Sequence, residues 1–155
     1  MYDTPQDLLD ALRSTPFILN ALLNDFASRP VRTGPPDRLE WSPVEIICHL
    51  RDAEESALER MRLMRDQEHP FLAAYDQEEW VMTRNYAAAG LQSALQAFLE
   101  RRSLHISELE ALPAADWQRP GRHEEQGEVT ILSHTIHIVA HDSIHIAQLA
   151  RLRLP

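Results

Sequence analysis

Ser42-Pro43-Val44-Glu45-Ile46-Ile47-Cys48-His49-Leu50 opens a helix, and its punctuation sets the reading of the chain around it. Ser42 stands at the N-cap, Pro43 takes the first helical position, and Glu45 falls where a capping box needs its reciprocal acceptor. Trp41, just outside, can staple onto Ile46. Val44, Ile46, Ile47, Leu50, Ala57, Leu58, Met61 and Met64 then recur at helical spacing to about Gln67. The same period marks three more segments. The first runs from about Thr4 to Ala27 through Leu8, Leu9, Leu12, Ile18, Leu19, Leu22, Leu23 and Phe26. Another runs from about Asn85 to Ala111 through Leu91, Leu95, Phe98, Leu99, Leu104, Ile106 and Leu109, and the last from about Thr130 to Leu152. Pro16 predicts a kink or short break in the first segment, and Pro113 ends the third. Residues 28–41 read as a connector, 112–128 as polar loop, and 68–83 as mixed, with a short helical turn around Asp76–Trp80. Neither a repeat nor a hairpin signal is evident. Four long helices predict an all-α four-helix bundle, with residues 1–155 as one domain.

Composition narrows the partners. A content of 44% apolar and 25% charged residues is that of an ordinary globular chain. The 24 acidic residues outnumber 15 basic ones, and a net charge of -9 argues against a nucleic-acid partner, because Lys and Arg supply most phosphate affinity. All the basic residues are Arg, so Schiff-base and P-loop lysine chemistry are excluded. One cysteine, Cys48, excludes an intramolecular disulfide and a zinc ribbon and fits a reducing cytoplasm. No apolar run approaches the ~18 residues of a membrane span, and Met1-Tyr2-Asp3-Thr4-Pro5 is not a basic signal-peptide start. A cytoplasmic protein with no membrane partner is expected.

Eight histidines are many for this length, and His134, His137, His141 and His145 crowd into one stretch. At ~100° per residue these four share one arc of the last helix, bordered by Ile144 on one side and Ile138 and Ile131 on the other. Imidazoles at i and i+4 rise one turn apart and can reach one ion at ~2.0–2.1 Å. His137 and His145 lie ~12 Å apart along the axis, so the pair is either 137/141 or 141/145. A third ligand must come from another helix. His49, at the edge of the apolar face of Ile46, Leu50, Ala53 and Ala57, is the best candidate; His105 follows a polar stretch, and His69 and His123 fall in loops. The alternative is a set of core or surface imidazoles satisfied by carboxylates and carbonyls.

Trp41-Ser42-Pro43-Val44-Glu45-Ile46-Ile47-Cys48-His49-Leu50-Arg51-Asp52-Ala53-Glu54 resembles the second-helix signature of the DinB-like superfamily, which includes the YfiT-like proteins. His141-Asp142-Ser143-Ile144-His145-Ile146-Ala147-Gln148-Leu149 is similar to its last-helix signature, and Arg119 to His123 with Gly127 and Thr130 to the loop before it. The resemblance implies an up-down-down-up four-helix bundle, usually a homodimer, with a divalent metal, often zinc or nickel, on three histidines. Carried over, those are His49, His141 and His145. His134 and His137 are then packing or supporting residues. The family also implies an open coordination position that activates a water or a low-molecular-weight thiol. The expected activity is a thiol S-transferase or a hydrolase acting on a small-molecule substrate; the alternative is a non-catalytic, metal-stabilised binding or stress-response scaffold.

Single residues complete the expectation. Cys48 reads as a small buried residue, since neighbours on a helix point ~100° apart. Asp52 and Glu45, at i+3 and i-4 from His49, are candidates to accept its second N–H. Asp142 reads as a surface residue or an arginine's partner. Arg84, Tyr86, Arg101 and Arg102 are candidates for an anionic substrate, with surface ion pairs the simpler reading. Glu-x-x-His does not occur, which argues against a carboxylate-bridged di-iron bundle, and nothing beyond the histidines supports haem.

Overall fold

The computed structural model describes residues 4–26 and 41–152. Apart from Trp41, the connector expected at 28–41 lies outside them, as does the side chain of Phe26. Four long helices carry the fold: α1 (Pro5–Phe26), α2 (Pro43–Asp66), α4 (Leu91–Glu110) and α5 (Ile131–Arg151), with a short α3 (Gln77–Thr83) capped by Asp76 between the second and third. Ser42 and Glu45 form the expected capping box at the start of α2. The third long helix begins later than its periodicity predicts. Asn85 adopts a left-handed conformation, a 3-10 turn covers Tyr86–Ala88, and Gly90 caps α4.

Side-chain pairs fix the directions. Glu54 meets Arg102 and Arg62 meets Glu108, so α2 and α4 run parallel. Leu8 and Leu12 pack with Ile131 and Ile138, whereas Leu19 and Leu22 pack with Leu149, so α1 and α5 also run parallel. Arg13 pairs with Glu110 while Leu19 packs with Phe98, setting α1 antiparallel to α4. The bundle is therefore up-down-down-up. Parallel neighbours require a long crossover, which the segment between α2 and α4 supplies.

The loop reading of 112–128 needs correction. Pro120–His123 (β2) pairs antiparallel with Gly127–Thr130 (β3), and Phe71–Leu72 (β1) adds a parallel edge to β2. Gly127 closes the turn at φ 74°, a conformation only glycine adopts without strain. These strands of two to four residues are too short, and too poor in β-branched residues, to show a period of two.

Two apolar clusters fill the bundle, and a fully buried polar layer separates them. Arg102 from α4 donates to Asp142 of α5 at 2.6 Å and to Glu54 of α2 at 2.7 Å, and Thr15 of α1 donates to Asp142 at 2.8 Å. His105 pairs with the other Glu54 oxygen at 2.8 Å. All four long helices thus meet at one guanidinium. Of the kink or break expected at Pro16, no break occurs: α1 is continuous through it. Pro16 cannot donate to the carbonyl of Leu12, four residues back, and Arg102 Nη1 donates to that carbonyl instead at 3.3 Å.

Candidate metal centre

His49 is set in the second turn of α2 by the capping box upstream, and His141 and His145 rise one turn apart from α5. The structure brings these three together. His49 Nε2 and His141 Nε2 lie 2.9 Å apart, and one ring nitrogen from each histidine falls within 4.8 Å of the others. Ring centroids are separated by 4.9 Å (49/141), 4.7 Å (49/145) and 4.5 Å (141/145). Trp41 covers the group, with its ring 4.9 Å from that of His49 and stacked nearly parallel on His145 at 6.1 Å. The indole thus does more than staple onto Ile46.

The rings are set up as neutral donors of lone pairs. Burial, reinforced by His145, lowers His49 to about 4; burial, with His145 and His49 beside it, lowers His141 to about 3. Burial lowers His145 as well. His145 Nδ1 lies 2.9 Å from the side-chain oxygen of Gln148, which can only accept. The ring proton therefore sits on Nδ1 and the Nε2 lone pair is free. Sequence reasoning missed the Gln148 contact with His145, although the i+3 spacing was a usable signal.

Neither acidic neighbour of His49 supports it. Glu45 is committed to the cap, and Asp52 takes hydrogen bonds from Arg51 and Tyr86 and pairs with Arg84 at 2.9 Å. His49 Nδ1 is buried without a partner among the described residues. Cys48 is fully buried, and burial pushes its thiol up, so it packs and does not react. Arg84 and Arg101 pair with Glu55, Tyr86 serves Asp52, and Arg102 lies in the core. None of these four candidates for an anion lines the cleft beside His141.

The remaining histidines scatter. His137 is exposed, its ring 6.4 Å from that of His141, and does not join the group. Ile144, which borders the histidine arc, is 62% exposed, so the arc passes from the buried His134 to a half-buried edge of α5 at His141 and His145. His69 pairs with Glu128 at the surface, and His105 is fully buried on Glu54. His134 is buried with neither ring nitrogen partnered among the described residues, and burial, with Arg60 nearby, lowers it to about 3. Between pH 6.5 and about 3 the unfolded chain carries a proton on this ring that the folded chain does not, so stability falls as pH drops. The slope from one such group is about 1.4 kcal/mol per pH unit. Urea unfolding of metal-free protein at pH 7 and pH 5 should show this loss, and His134→Leu should make it shallower.

A cleft of about 710 Å³ opens on His141, lined by residues of α2, α5, the β2–β3 turn and the start of α3. No described helix is long and apolar enough to cross a membrane. A protein of Oceanobacillus iheyensis named "putative metal-dependent hydrolase" is 26% identical over 147 residues, covering 95% of this chain and 80% of that protein. A Geobacillus kaustophilus protein of the same description is 24% identical over 149 residues, covering 96% and 83%. YfiT from Bacillus subtilis, described as a "probable metal-dependent hydrolase with an unusual four-helix bundle topology", shares the fold with a TM-score of 0.82 at 20% identity, over 98% of this chain and 87% of YfiT. The sequence profile of the DinB superfamily matches residues 4–149, from the start of α1 through all three converging histidines, and the chain belongs to that superfamily.

Proposed function

We propose that His49, His141 and His145 hold a divalent metal ion, zinc or nickel, and that the protein is a metal-dependent hydrolase acting on a small molecule in the adjoining cleft. The observation that carries this is the 2.9 Å approach of His49 Nε2 to His141 Nε2 beside a third free lone pair. Neutral imidazoles turned inward on one point, with no carboxylate among them, form the donor set of a three-histidine site. A bound divalent ion with an open position supplies Lewis acidity, lowering a coordinated water or thiol toward neutral pKa. The chain does the rest. Trp41 shields one side of the histidines, Gln148 orients His145, and His137 stands at the cleft one turn from His141, placed to carry a proton. Hydrolysis is preferred to thiol S-transfer because the two relatives carry that description.

The test is metal content of full-length protein purified without a polyhistidine tag, followed by turnover of an ester and amide panel with and without added low-molecular-weight thiol. One zinc or nickel per chain and metal-dependent hydrolysis without thiol are expected. A strict thiol requirement would move the protein to the S-transferases, and metal that only raises the melting temperature would make it a scaffold. Cys48→Ser should retain most of the activity.

A further inference from the structure

Arg60 lies eleven residues beyond His49 on α2, on the order of 16 Å along the helix, and lines the same cleft as His141. Its guanidinium packs over the Tyr75 ring at 5.3 Å and donates to the carbonyl of Ala73. Unlike Arg84, Arg101 and Arg102, it has no ion pair among the described residues. That carbonyl is its only hydrogen-bond acceptor among the described residues, which leaves most of its five N–H donors to solvent or a ligand. Partial burial depresses its pKa despite Tyr75, Glu125 and Glu59 nearby, so the half-buried guanidinium faces the cleft without an ion-pair partner at contact distance among the described residues.

His123 completes the observation. Its Nδ1 accepts from the backbone N–H groups of Glu125 at 3.2 Å and Gln126 at 3.4 Å, so the neutral ring carries its proton on Nε2. That Nε2–H is buried and has no acceptor among the described residues, and His123 is one of the residues that line the cleft. The ring is 3% exposed, too little for bulk water to satisfy it freely. Two donors, one of them charged, therefore border one cleft and lack the same thing: an oxygen acceptor. The mouth is negative. Asp76 and Glu124 are engaged in backbone hydrogen bonds, and Glu78 and Glu125 add charge beside them. Such a rim repels a doubly charged phosphate ester more strongly than a singly charged carboxylate.

We propose that Arg60 and the Nε2–H of His123 form a carboxylate-binding subsite, and that the substrates are small acyl compounds ending in one carboxylate, held with the reacting carbonyl toward His49, His141 and His145. This rests on the hydrolase reading above. The separation along α2, shortened by the reach of the arginine, suits a substrate about two to three residues long at ~3.3–3.6 Å each.

N-acetyl-alanyl-alanine and its C-terminal amide are the probes, titrated into full-length protein as purified and after chelation, with zinc stoichiometry measured in parallel. The acid should bind at least about tenfold more tightly than the amide, because a guanidinium prefers a carboxylate to a neutral carbonyl. Arg60→Gln should abolish that preference and His123→Phe reduce it, both with zinc stoichiometry unchanged. Equal binding of acid and amide, or no binding of the acid up to about 10 mM, overturns the subsite. So does an Arg60→Gln protein that melts earlier but keeps the preference, which would make the arginine a tether for Ala73. Acid preference in protein that binds neither zinc nor nickel, as purified or on adding either ion, would instead sink the hydrolase reading and leave the subsite standing.

Discussion

Arg102→Met should lower the unfolding free energy by about 3–5 kcal/mol, measured by urea denaturation at neutral pH. The loss comes less from the ion pairs themselves than from what the substitution leaves behind. Glu54 and Asp142 stay buried without the guanidinium they share, which leaves Glu54 with His105 alone and Asp142 without an ion-pair partner among the described residues. Burial by itself would push the Glu54 carboxyl up; Arg102 and His105 overcome that and hold it well below the usual carboxylate range. A depressed carboxylate adds stability above its ordinary pKa and loses it as pH falls through the folded-state value. The wild type should therefore keep this contribution at mildly acidic pH, and the variant should not. Glu54→Gln and Asp142→Asn placed in the Arg102→Met background should recover part of the loss, since matched removal of a buried pair is far cheaper than removal of one member. A cost below about 1 kcal/mol for Arg102→Met would show that the polar layer is hydrated and not a packed part of the core.

His141→Ala is expected to have the largest effect on metal affinity, a loss of about two orders of magnitude or more, because even residues that only support a metal ligand are worth 10–100-fold. His141 faces both other rings, so no rearrangement of the remaining pair restores three donors. Isothermal titration with zinc, or quenching of Trp41 against a chelator series, reads the change directly. His69→Ala should be silent. His137→Ala should leave zinc affinity within a few-fold, because its ring stands outside the cluster. Retained affinity in His145→Ala with loss in His137→Ala would mean that the other i,i+4 pair holds the metal.

Local chemistry was the most readable part of the sequence. Ser42, Pro43 and Glu45 announce α2 because a cap is made by residues within one turn, and the 141/145 spacing needs only one helix to be understood. His49 was the best third ligand by its place on the edge of an apolar face, but spacing left 137/141 and 141/145 equally open, and choosing the second pair took the family resemblance, since no local rule links residues 92 apart. The polar layer was misread for a different reason. Periodicity through Ala94, Leu95, Phe98 and Leu109 passes over Arg102 and His105, yet a reading by hydrophobicity chooses Leu104, which is 46% exposed. Arg60 gave no sign at all, because its importance lies in a missing partner. Absent partners are visible only once the chain is folded.

The 92-residue separation also has a kinetic meaning. His49 is committed to α2 early in the chain, but its imidazole partners lie on α5, beyond a parallel crossover and a hairpin. Contacts between such distant segments form late, after the loop-closure entropy of everything between them has been met. The three imidazoles therefore converge only when the last helix docks. An ion that requires all three is captured after folding is nearly complete, so its uptake in a refolding experiment would time the final docking step rather than an early collapse.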